Sequence, residues 1–85
     1  MDPADIETTI LRLLAERDDG KTISATDVAR ALAGADTDWH LRMTPVRRVA
    51  VKLALAGRVV IYRKGKTVDP NDFKGVYRLG LPRQD

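Results

Sequence analysis

The hydrophobic spacing of this chain changes once, at Gly57, and that change restricts the fold more than any other feature. Upstream, apolar residues recur at the 3.6-residue spacing of amphipathic helices; downstream they alternate, as in half-buried strands. Ile6, Ile10, Leu13 and Leu14 share one side of a helix over about residues 4–17, and Val28, Ala29 and Leu32 do so over 25–33. Val46, Val49, Ala50, Leu53, Ala54 and Ala56 gather on one side of a third helix. After Gly57, Arg58–Arg63 and Val76–Leu79 are rich in β-branched and aromatic residues and read as two antiparallel strands. A chain of 85 residues has material for one domain and hides only about 60–65% of its unfolded surface. Every one of these apolar stripes is therefore needed for the core, and no interior cofactor pocket is expected.

The segments between the stripes carry local signals. Asp18-Asp19-Gly20 stops the first helix, and a short extended piece, Lys21-Thr22-Ile23, follows. Ser24 with Asp27 three residues on resembles a capping box, which makes the lone serine a helix cap rather than a nucleophile; Gly34 ends that helix. Residues 35–43 form a connection with room for one helical turn. Within it Trp39, the only tryptophan, is either a plug over the core or a stacking platform for a base. His40 is the only histidine, so neither a metal cluster nor a Ser/His pair can be built around it. Thr44-Pro45 predicts the start of the third helix, with threonine as cap and proline at the first helical position, and Gly57 closes it. Residues 64–75 read as one long hairpin loop, and 81–85 as a frayed tail.

Composition narrows the chemistry. The absence of cysteine excludes disulfides and thiolate metal sites. The acidic start, Met1-Asp2-Pro3-Ala4-Asp5, does not read as a signal peptide, and no apolar run reaches membrane-spanning length, so the cytoplasm is the expected location. The net charge of +3 conceals an asymmetry: residues 1–45 carry a net −4 and residues 46–85 a net +7. A basic second half suits a polyanionic partner, although basic faces are often only solvated.

Helix, short strand, helix, connector, helix, strand, loop, strand is the order of a winged helix-turn-helix. That is an α+β domain, mainly α, with three helices and a small antiparallel β-hairpin as the wing, to whose edge the piece at Ile23 adds. The sequence also resembles a family of small bacterial proteins of unknown function with a winged-helix-like domain, over about residues 5–80. The resemblance rests on Ser24, Asp27–Leu32, Trp39, Val46-Arg47, Ala50, Leu53-Ala54, Gly57, Val59, Ile61, Arg63-Lys64-Gly65, Asp69-Pro70, and Gly75 before Tyr77-Arg78-Leu79. It implies the fold and a bacterial origin, and no activity or site residue.

Function is therefore argued from residues. Double-stranded DNA is the first expectation, with Arg47, Arg48 and Lys52 on the third helix in the major groove and Arg63, Lys64 and Lys66 on the wing against the backbone. Arginines near the helix start suit guanine edges and lysines suit phosphates. If four to six of these cations meet phosphate, log affinity falls against log salt with a slope of about −3.6 to −5.4. The alternative is a protein-interaction or dimerisation module, motivated by Val51 and Leu55 within the basic face of the third helix. An enzyme is not expected: Asp18-Asp19, Asp69 and Asp72 stand in turns that favour aspartate for backbone reasons. Residues 69–72 also lack the ligand spacing of a calcium loop, and no cofactor or metal is expected.

Overall fold

The chain is described by a computed structural model over residues 2–17, 22–35 and 38–82. The stop at Asp18-Asp19-Gly20, Lys21, residues 36–37 of the connection and residues 83–85 of the tail lie outside the described residues. Helix α1 (Pro3–Ala15) begins where the Asp2 side chain accepts from the Ala4 N–H at 2.9 Å and Pro3 opens the first turn. Proline suits that position because the N–H it lacks would have no helical acceptor. Ile6, Ile10 and Leu14 are the buried stripe, with Leu11 and Leu13 partly covered beside it.

Strand β1 (Ile23–Ser24) runs directly into α2 (Ala25–Ala33). The capping box forms in full: the Ser24 hydroxyl accepts from the Asp27 N–H at 3.0 Å, and the Asp27 carboxylate accepts from the Ser24 N–H at 3.1 Å. That backbone hydrogen bond is the main reason the Asp27 carboxyl lies below its ordinary value of 3.8; partial burial opposes it, and Arg17 at 3.6 Å helps. A depressed carboxyl stabilises the fold above its unfolded pKa, and the contribution is lost as pH falls through the folded value. Asp27→Asn should therefore flatten the acid limb: between pH 7 and about pH 3, the urea midpoint of the variant falls less than that of the wild-type protein.

The third helix starts differently from the sequence expectation. A 3₁₀ turn, Trp39–Arg42, passes straight into α3 (Met43–Leu55), so the chain is already helical before Thr44. No side chain caps α3, and Thr44 and Pro45 lie inside its first turn. Proline is tolerated there because N–H groups of a first turn have no intrahelical acceptor. Val46, Val49, Ala50 and Leu53 are buried, as their spacing predicts. Gly57, at φ +76°, closes the helix: its N–H reaches the Ala54 carbonyl at 3.0 Å and that of Arg58 reaches Leu53 at 2.9 Å, the double bond of a Schellman end.

The wing also departs from expectation. In place of one long loop after β2 (Val60–Arg63), the chain turns at once through Lys64-Gly65 into β3 (Lys66–Thr67), which pairs with β2. Lys64 and Gly65 have φ +52° and +80°, the paired positive values of the primed hairpin turns. A loop over residues 68–77 then leads to β4 (Arg78–Gly80). The antiparallel sheet has the order β1-β4-β2-β3, with the piece at Ile23 joined to its edge as expected. Ile23, Leu79 and Ile61 stand in one row across three strands, each no more than 1% exposed. They meet the buried stripes of the three helices in one core. The arrangement is α+β, mainly helical, and winged-helix-like.

Candidate nucleic-acid interface

Four buried positions fix how α3 is rotated. With Val46, Val49, Ala50 and Leu53 turned inward, the opposite side carries Thr44, Arg48, Lys52 and Leu55, all exposed. Arg48 and Lys52 are one turn apart on it. Neither has a hydrogen bond or ion pair among the described residues. Val51, expected to be exposed beside Leu55, packs against the core instead and is half-buried, so the apolar pair reduces to Leu55 at 59% exposure.

Arg47 points elsewhere. It sits about 100° round the helix from Val46, at the edge of the buried stripe, where the 68–77 loop meets α3. Its guanidinium donates to the Phe73 carbonyl at 2.6 Å and lies 3.9 Å from the centre of the Phe73 ring. Phe73 is buried and meets Tyr77 edge to face at 5.1 Å. Burial pushes the Tyr77 hydroxyl up to about 12, with the Arg47 charge opposing, and the hydroxyl has no hydrogen-bond partner among the described residues. This cation and these rings tie the wing loop to the flank of α3.

Arg63 closes the base of the same loop. Its Nε donates to the Val76 carbonyl at 3.0 Å, and its Nη2 lies where a β-carbon on Gly75 would come within 2.9 Å. Gly75, at φ +85°, adopts the left-handed backbone that favours glycine, and a β-carbon there would also crowd the Arg63 guanidinium. Lys64, in the hairpin turn, and Lys66, which follows it, are exposed and without an ion pair among the described residues.

The six candidates thus divide. Arg47 and Arg63 hold loop carbonyls; Arg48 with Lys52, and Lys64 with Lys66, form two exposed pairs, one on α3 and one on the wing. The sequence reading missed the anchor made by Phe73, Gly75 and Tyr77. The only phenylalanine of the chain, set between Asp72 and Lys74, was its available signal. It also missed Arg78, which donates to the Thr22 hydroxyl at 2.7 Å and the Thr22 carbonyl at 3.1 Å, and Arg58, which pairs with Glu7 of α1.

The other polar features have local explanations. Trp39 packs against the core, stacks on His40 with ring centres 3.7 Å apart and takes the Arg30 guanidinium at 5.0 Å, as a plug over the α2–α3 connection would. Asp69 accepts from the Asn71 N–H at 2.9 Å and closes a turn to Asp72. Among the described residues there is no cluster of histidine and carboxylate side chains that could hold a metal ion, and no helix is long and apolar enough to cross a membrane.

No curated protein matches the chain. A family model does match, over residues 3–82, and it agrees with the resemblance drawn from Ser24, Trp39, Gly57 and the wing residues. By that match the chain belongs to the family described as a protein of unknown function (DUF3253).

Proposed function

We propose that this domain binds double-stranded DNA, with the exposed side of α3 entering the major groove and the Lys64–Lys66 turn resting on the neighbouring backbone. The observation that carries the reading is the division of the cations. Arg48, Lys52, Lys64 and Lys66 are exposed and unpaired among the described residues, while the arginines around them are bonded within the fold. A helix of 13 residues is roughly 20 Å long, enough to lie across a groove about 12 Å wide. A DNA-binding role would keep the protein in the bacterial cytoplasm.

Titration of a labelled duplex across salt concentrations tests the reading. Four phosphate contacts give a log–log slope of about −3.6. A flat response, or affinity no better than about millimolar at low salt, would remove DNA from consideration.

Leu55 supports a second reading, in which α3 docks on a protein or a second copy of the chain. Sedimentation separates the two: a dimer whose interface covers Arg48 would replace DNA as the partner of this face.

A further inference from the structure

Resting on the duplex-binding reading, we infer that Arg48 is the residue by which this domain distinguishes base pairs, and that it does so by holding a guanine in the major groove. Guanine presents two acceptors there, O6 and N7, side by side, and the rigid planar fork of an arginine matches both. A lysine can touch the same atoms, but its compact ammonium serves a phosphate equally well and imposes no plane.

The described arginines of the basic half are committed elsewhere, with one exception. Arg47 is bound to the Phe73 carbonyl and ring, Arg58 to Glu7, Arg63 to the Val76 carbonyl, and Arg78 to Thr22. Redirecting any of them breaks a contact that holds two elements together. Arg48 alone among them is exposed with its donors unengaged, and it sits on the outward side of α3 between Thr44 and Lys52, one turn from each. The Thr44 methyl neighbours it on the helix and suits the 5-methyl of a thymine. The expected element is therefore a single guanine with a thymine beside it.

One such contact discriminates by roughly 5- to 150-fold, against about 10³ to 10⁷ for proteins that read several bases. The inference thus describes a weakly selective duplex binder, most of whose affinity comes from phosphates.

Selection from a randomised duplex pool by wild-type protein, Arg48→Ala and Lys52→Ala tests it. Wild type should enrich a guanine at one position, and 7-deazaguanine at that position, which lacks the N7 acceptor, should lower its affinity severalfold. Arg48→Ala should bind the two duplexes equally, and Lys52→Ala should bind every sequence more weakly while keeping the guanine preference. A preference that survives Arg48→Ala, or wild-type binding with no base preference, would overturn the inference and leave duplex binding intact. Failure of the wild-type protein to retain any duplex at about 50 mM salt would overturn both. Arg48 is exposed and makes no hydrogen bond or ion pair among the described residues, so Arg48→Ala should fold for the comparison.

Discussion

Leu79→Ala should lower the stability of the domain by about 2–5 kcal/mol, the range for truncating a fully buried leucine that leaves a cavity behind. Leu79 is 0% exposed and stands between Ile23 and Ile61 in the row that crosses three strands. Its strand is the one that joins β1 to β2, so the cavity opens where the helix-turn-helix half meets the wing. A domain of 85 residues has roughly 4–13 kcal/mol of total stability, and the loss is a large fraction of it. Thermal unfolding should move down by roughly 10–30 °C. Val76→Ala provides the contrast: at 84% exposure it should stay within about 0.5 kcal/mol of the parent. Urea unfolding of the two variants beside the wild-type protein measures both. An unchanged midpoint for Leu79→Ala would show that the row is not what holds the halves together.

The stripe containing Leu79 is legible in the sequence, and so are those of the helices, because burial imposes a period on sequence and the period is read from one chain alone. Ser24 with Asp27, and Gly57, were legible for a similar reason: a cap is made by residues within five positions of one another. What the sequence hid depends on long-range neighbours or on residues acting against preference. Rotation about α3 puts Arg47 at the edge of the exposed side, and only Phe73, 26 residues on, determines that the edge is covered. The tight turn at Lys64-Gly65 has lysine where asparagine or glycine is favoured, so a single glycine was its whole signal. Thr44-Pro45 misled in the opposite sense. The pair is a good helix start in isolation, but the 3₁₀ turn upstream had already begun the helix. The candidate interface was thus legible as a set of cations, and its division into tethers and unpaired groups was not.

That division leads to the largest expected effect on binding. Replacing Arg48, Lys52, Lys64 and Lys66 together by glutamine should reduce duplex affinity by on the order of 10⁴-fold at about 50 mM salt and bring the log–log salt slope close to zero. Stability should change little, because none of the four supports a contact among the described residues. Replacing Arg47 and Arg63 by glutamine should do the reverse. Each loses a charged hydrogen bond to a loop carbonyl, and unfolding should become easier by about 1–2 kcal/mol per site. Affinity alone cannot separate the two sets, because a loosened wing also binds more weakly. The slope can, because it counts the ions released by protein charges that meet phosphate and is indifferent to how firmly the loop is held. The pair Arg47→Gln and Arg63→Gln should therefore shift the salt line downward at unchanged slope, whereas the fourfold variant should flatten it. A flattened line for the Arg47 and Arg63 pair would mean that these arginines leave Phe73 and Val76 when DNA arrives, and that the wing loop reorganises on binding.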